Sequence, residues 1–299
     1  MKNRKLAAII VITFIFLGCN NDKNKFDASG TFETIEILVS SEASGRIMEF
    51  NVTEGDILNA NQPIGYIDTL QLYLSKLQLE ATQETVEGRK TDINVQLASL
   101  KTQLLTLQSE KKRFEKLVKS NAGNQKQVDD IDAQILVLEK QIKAQSNNIE
   151  TSNKSLNNEK KTLAIQIAQI EDKIRKSFIH SPTKGTVLMK YAERGEIVQL
   201  GKALFKIADM ENMFLKAYLT ADQLSQIKLG QEVDVFADSG KNEYNDYKGT
   251  IIWISDKSEF TPKTIQTKDE RANLVYAVKI AVKNDGYLKI GMYGQIKIQ

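Results

Sequence analysis

The sequence predicts an α+β chain of several modules: a small β domain written in two halves, an antiparallel α-helical hairpin inserted between them, and a small β-barrel after them. Three observations carry this. A glycine-punctuated pattern, "GRIMEFNVTEGDILNANQPI" from Gly45, returns without a gap as "GTVLMKYAERGEIVQLGKAL" from Gly185, 140 positions later (185 − 45). The stretch between the copies has no proline from Leu70 to Lys176 and carries apolar residues at steps of three and four. From Met213 onward the pattern changes to short alternating runs separated by glycines.

The first nineteen residues, "MKNRKLAAIIVITFIFLGC", place Lys2, Arg4 and Lys5 before an uncharged run from Leu6 to Leu17. That is the layout of a secretory signal, and the run falls short of the roughly 20 apolar residues of a membrane span. Leu17-Gly18-Cys19, followed by polar "NNDKNK", resembles the bacterial lipobox. The resemblance implies cleavage before Cys19 and its lipidation. An ordinary anchor helix with an incidental cysteine is the alternative, and either one puts the rest of the chain outside the cytoplasm.

Each repeat reads as short strands around a turn, Glu54-Gly55-Asp56 in the first copy and Arg194-Gly195-Glu196 in the second. Glycine there supplies a positive φ at little steric cost. Between the copies a heptad seam runs through Ile93, Leu97, Leu100, Leu104, Leu107, Phe114 and Val118, skips Lys111, and extends back to Val86 and Leu79. It resumes at Val128 and continues to Ile174, with Gln145, Ser152 and Glu159 expected at polar core positions. Each arm of about 50 residues would reach about 75 Å. The polar break "KSNAGNQKQ" joins them, and Gly123 is expected to end the first arm in a left-handed conformation. An antiparallel hairpin is the simplest reading; a parallel dimeric coiled coil through both arms is the alternative. Pro182 breaks the second arm before "TKGTV".

After the second copy, "MFLKAYLT", "EVDVFA", "YKGTIIWI", "LVYAVKIAV" and "GMYGQIKIQ" read as strands, and "ADQLSQIKLGQEV" as a one- or two-turn helix ending at Gly230. Five or six short strands with glycine-rich turns suggest a small barrel. "GTFETIEILVSS", ahead of the first half, contributes a strand or links to it. The expected divisions are a leader at 1–19, a linker and leading strand at 20–40, β halves at 41–69 and 178–209, the hairpin at 70–177 and the barrel at 210–299.

Composition narrows the function. The 41 basic and 38 acidic side chains leave a net charge of +3, with no basic stripe interleaved with aromatics, so nucleic acid is not an expected partner. With one cysteine and one histidine no internal disulfide can form, and a Cys/His metal cluster or nucleophile pair would have to use Cys19 and His180. No cofactor is expected. His180 beside Ser181 reads as a junction residue rather than a general base, and the acidic residues alternate with lysines as on solvated helix faces.

The order of modules resembles the HlyD-type membrane fusion proteins, or periplasmic adaptors. The likeness spans about Gly30 to Gln299 and includes "SSEASGRI", "VTEGDIL", "SPTKGTVLMKYAERGEIV" and "LKIGMYGQIKI". It implies that the two β halves form a lipoyl-like domain. "SEFTPKTIQTKDERANLVYAVKI", Ser258 to Ile280, is similar to adaptors that work with ABC-type exporters. The resemblance implies a non-enzymatic, oligomeric subunit. It would be lipid-anchored in the periplasm at the inner membrane, and would bridge an ABC-type transporter to a TolC-like outer-membrane channel. Some adaptors carry Arg-x-x-x-Leu-x₆-Ser at the hairpin tip for channel contact. "RFEKLVKSNAGN" supplies Arg113 and Leu117, with Asn124 where Ser is usual. The sequence ends at Gln299 straight after the last strand run, so a further membrane-proximal domain is expected to be absent or rudimentary, which favours an ABC-type over an RND-type partner. The rivals are an adaptor of an RND-type pump, a structural coiled-coil envelope lipoprotein, and a group carrier. The last would need an exposed lysine at an intact hairpin turn, which Lys190 does not supply.

Overall fold

The computed structural model describes residues 26–240, 243–260 and 274–298. The leader and Cys19 lie outside the described residues. Strands β1 (Ala28–Glu33), β2 (Glu36–Ser40), β3 (Gly45–Phe50), β4 (Ile57–Leu58) and β5 (Pro63–Ile67) come first. Helices α1 (Leu70–Gly88), α2 (Ile93–Lys119) and α3 (Gln125–Lys176) follow. Then come β6 (Phe178–His180), β7 (Gly185–Lys190), β8 (Ile197–Val198), β9 (Ala203–Ala208) and β10 (Asn212–Thr220). A short helix α4 (Ala221–Leu224), β11 (Glu232–Gly240), β12 (Glu243–Phe260), β13 (Leu274–Lys283) and β14 (Tyr293–Lys297) complete the order.

The repeated halves interlock. One sheet runs β2-β9-β7-β4 and the other β6-β5-β3-β8, so each takes strands from both copies. Hydrogen bonds repeat at the same offset of 140: Gly55 N donates to Val187 O at 2.9 Å and Gly195 N to Ile47 O at 2.8 Å. Asn61 N donates to Ser181 O, and Gly201 N to Ser41 O, each at 2.8 Å. Gly55 and Gly195 share φ of 94°, a left-handed value costly for other residues. Two buried serines 140 positions apart match as well, Ser41 Oγ donating to Ala43 O and Ser181 Oγ to Thr183 O. A shared core holds Ile47, Phe50, Ile67, Val187, Phe205 and Ile207. Each half alone pairs only two strands, β3 with β5 and β7 with β9, and both four-stranded sheets and the shared core need the other half, which explains why the chain writes the pattern twice.

Between the halves, α1 and α2 both pack along α3 within the one chain. Two expectations need correction here. The first arm is not continuous: α1 stops at Gly88, and α2 restarts behind Asp92, whose side chain caps it by accepting from Asn94 N at 2.7 Å. The inward face of α3 also differs. Leu138, Ile142, Ser146 and Ile149 follow one another at steps of four, four and three, so Ser146, Asn153 and Lys160 turn inward while Gln145, Ser152 and Glu159 are exposed. The cause is the mismatch between a 3.5-residue repeat and the 3.6 residues of a helical turn, which one extra step of four resets. This shift aims Asn153 at the break. Its Nδ2 donates to Thr91 O at 2.8 Å and its Oδ1 accepts from Thr91 N at 3.1 Å, satisfying backbone groups that the interrupted helix leaves open. Arg89–Glu159 and Lys160–Glu87, both 2.8 Å, flank the joint. Hydrogen bonding from Lys160, and then from Lys90, holds the Glu87 carboxyl below the usual glutamate range.

The remaining strands close a six-stranded barrel, β1-β10-β13-β12-β11-β14. Its sixth strand is β1, whose residues fall in the stretch read as linker and leading strand. A barrel needs a partner for both open edges, and β1 pairs with β10 on one side and β14 on the other. Phe32, Leu215, Leu219, Val235, Ile251, Ile280 and Ile296 fill the interior. The helix expected before Gly230 is a single turn, capped by Thr220 and Gln223 in a capping box.

Candidate partner-binding site at the hairpin tip

The tip is built by two helix ends. At the end of α2, Asn121 N donates to Val118 O at 3.0 Å and Ala122 N to Leu117 O at 2.9 Å, the paired bonds of a Schellman motif. The left-handed residue is Asn121, with φ of 57°, and not Gly123 as expected. Asparagine is the other residue that adopts this conformation at modest cost. Gly123 serves close packing instead: a Cβ there would lie 2.9 Å from Val118 N and 3.0 Å from Leu117 Cβ.

Asn124 opens α3, and its Oδ1 accepts from Lys126 N at 3.0 Å. Serine and asparagine are both favoured N-caps, so the departure from Ser at this position keeps the cap, on an exposed side chain. Arg113 and Leu117 are four residues apart on α2 and therefore share a face. The Arg113 side chain is 68% exposed, with Glu110 at 3.9 Å, and its guanidinium lies 5.6 Å from the Phe114 ring centre. Leu117 is 39% exposed, beside the seam residues Phe114 and Val118. Its contact with Gly123 brings the loop leading to Asn124 to the same end. Just below, the skipped seam position is half-buried Lys111, whose ammonium reaches Asp132 at 2.5 Å. The hydrogen bond to Asp132 raises the Lys111 ammonium above the usual lysine range. Lys116, Lys119 and Lys126 belong to no motif in the sequence, and the fold brings them to this end; their sign is visible in the sequence, but their clustering depends on where the helices turn.

The tip offers an arginine, a partly exposed leucine and a set of amides, which suits binding to a protein surface. Chemistry elsewhere is no better placed. His180 is exposed, with Nδ1 3.2 Å from Phe178 O, while Ser181 is fully buried and bonded to Thr183 O. Lys190 is tied to Glu193 at 2.7 Å and sits over the Phe50 ring. Among the described residues no group of three or more His, Cys, Asp or Glu side chains could hold a metal ion, and no helix is long and apolar enough to cross a membrane. An open groove lies between the hairpin base and the split β domain, lined by Leu72, Ile165, Ala168 and Leu200.

No family model matches the chain. A 120-residue segment is 33% identical to a UPF0194 membrane protein of Yersinia pseudotuberculosis, covering 40% of this chain and 36% of that protein. A segment of 125 residues is 31% identical to a UPF0194 membrane protein of Citrobacter koseri, covering 42% and 37%. The match thus spans little more than a third of the length of these curated relatives. Among solved structures, the membrane fusion protein Spr0693 from Streptococcus pneumoniae R6 is 18% identical with a TM-score of 0.54, covering 91% of this chain and 97% of that one. MacA from Actinobacillus actinomycetemcomitans is 21% identical with a TM-score of 0.52, covering 90% and 76%. With its six-stranded barrel and helical hairpin, the chain takes the fold of the membrane fusion proteins and resembles the HlyD-type adaptors.

Proposed function

We propose that this chain is the periplasmic adaptor subunit of a tripartite efflux or secretion system, bridging an inner-membrane ABC-type transporter to a TolC-like outer-membrane channel. The observation that carries the reading is the separation of two ends. The 52 residues of α3 form one unbroken helix, about 78 Å long at 1.5 Å per residue. Its N-cap Asn124, together with Arg113 and Leu117 of the adjoining α2, lies at the end of this helix away from the split β domain. At the other end, β1 begins nine residues after Cys19 (28 − 19), and nine residues reach at most about 30 Å. A lipid on Cys19 would therefore hold the barrel close to the inner membrane. The interlocked halves at 41–69 and 178–209 act as a lipoyl-like platform on which the hairpin stands, and several copies side by side form a sleeve. The preference for an ABC-type partner rests on the likeness of Ser258 to Ile280; an RND-type pump is the other transporter class this architecture fits.

The test is affinity purification from membranes of cells making a C-terminally tagged protein, beside an Arg113→Asp, Leu117→Ser double variant. The expected result is recovery of both an inner-membrane transporter and an outer-membrane channel by the parent, with the channel alone lost in the variant. Recovery of neither by the parent, even after mild cross-linking, contradicts the reading and favours a structural lipoprotein.

A further inference from the structure

Resting on the adaptor reading, we infer that the hairpin tip selects its partner by charge, and that the surface it meets on the channel is acidic. Residues 116–127 contain Lys116, Lys119 and Lys126 and no acidic side chain. Among the described residues none of the three lysines has a carboxylate partner. Glu115 and Asp132 face Lys111, and Asp129 accepts from Gln125 Nε2 at 2.9 Å; Asp130, four residues beyond Lys126 on α3, is exposed and is not ion-paired to it.

Lys116 and Lys119 stand in the last turn of α2, where cations complement the helix dipole, so these two alone have an ordinary explanation. Lys126 does not. It lies in the first turn of α3, which holds no acidic residue, so its charge opposes the positive end of that helix. The helix would be better served by Glu or Asp there, and the cation at that place gains its use from something outside the chain. Lys116 and Lys119 lie in the last turn of α2 and Lys126 in the first turn of α3, the two helix ends that also hold Leu117, Asn121 and Asn124.

This chemistry fits carboxylates on a protein better than a lipid surface. Interfacial membrane-binding surfaces carry Trp and Tyr, and residues 115–127 contain no aromatic residue. The exposed large apolar side chain there, Leu117, packs close to Gly123, giving a narrow contact flanked by charge. Lysines at the rim of a contact set its salt dependence and encounter rate, while the central Arg113 and Leu117 hold it.

The experiment uses the full-length tagged chain in detergent-solubilised membranes and reads the outer-membrane channel captured at low and at high salt. A Lys116→Gln, Lys119→Gln, Lys126→Gln variant is expected to capture about tenfold less channel at low salt and to match the parent at high salt. The corresponding triple Lys→Arg variant is expected to behave as the parent at both. Transporter capture from the other end serves as the folding control and should not change. If the Gln variant captures channel as the parent does at low salt, while Arg113→Asp, Leu117→Ser still loses it, charge selection is wrong and the adaptor reading stands. If the parent captures no channel at any salt, both fall. Binding of phosphatidylglycerol vesicles by the parent but not by the Gln variant, with channel capture equal in the two, overturns the inference in favour of a lipid surface.

Discussion

Phe205→Ala is expected to destabilise the split β domain by about 3–5 kcal/mol, the range for removing a fully buried phenylalanine. Its ring has no solvent exposure and lies 6.2 Å from the ring of Phe50, centre to centre. The two aromatics come from opposite halves, so the contact joins segments separated by the whole hairpin. Typical domains have only 5–15 kcal/mol of net stability, so a loss of this size should lower the β-sheet unfolding midpoint by many degrees. Circular dichroism at a β-sensitive wavelength measures it, with Ile57→Ala as the companion: Ile57 is 72% exposed, and its loss should cost within about 0.5 kcal/mol. Equal midpoints for the two variants would contradict the interlocked core.

Gly30→Ala is expected to detach β1 from the barrel. A Cβ at Gly30 would sit 2.0 Å from Lys216 O and 2.7 Å from Ala217 Cα, both backbone atoms of the neighbouring strand. A flexible side chain could move aside; paired backbone can do so only by separating the strands. On the other side Gly30 lies opposite Gly294, where a Cβ would strike the Phe32 ring at 2.7 Å. Gly294 thus leaves room for the fully buried Phe32 ring, and Gly30 for the backbone of β10. Overpacking costs about 1–3 kcal/mol and more where backbone must shift, and this site belongs at the upper end. Amide hydrogen exchange reads the outcome: Phe32 N, bonded to Met292 O at 2.8 Å, should lose protection, while α3 keeps its own. Unchanged protection of Phe32 in the variant would contradict the close seating of Gly30 against the β10 backbone.

These features differ in how far the sequence betrayed them. The repeat was legible because its glycine turns demand a positive φ at Gly55 and Gly195, and such demands are local. The exchange of strands between the halves was not, since β3 meets β8 and β7 meets β4 across more than a hundred residues, and nothing in a strand's own pattern names its partner. The same limit hid β1, whose six residues alternate like any edge strand. The joint after Gly88 was written in Asp92, a good N-cap, but the apolar steps continue across it and concealed it. One shift of register then separated the inward Asn153 from the expected Ser152. At the tip, Arg113 and Leu117 could be paired by their spacing of four, whereas the gathering of Lys116, Lys119 and Lys126 required knowing that α2 ends at Lys119 and α3 begins at Gln125.

The measurement that tests the central claim most directly is site-specific photo-cross-linking in living cells from two positions, Leu117 at the hairpin tip and Tyr293 on the barrel, which is 51% exposed. The account predicts that the probe at 117 labels an outer-membrane channel and the probe at 293 an inner-membrane transporter, with no exchange between them. Labelling of one and the same partner from both positions, or of no membrane protein from either, would contradict a chain that bridges two membranes.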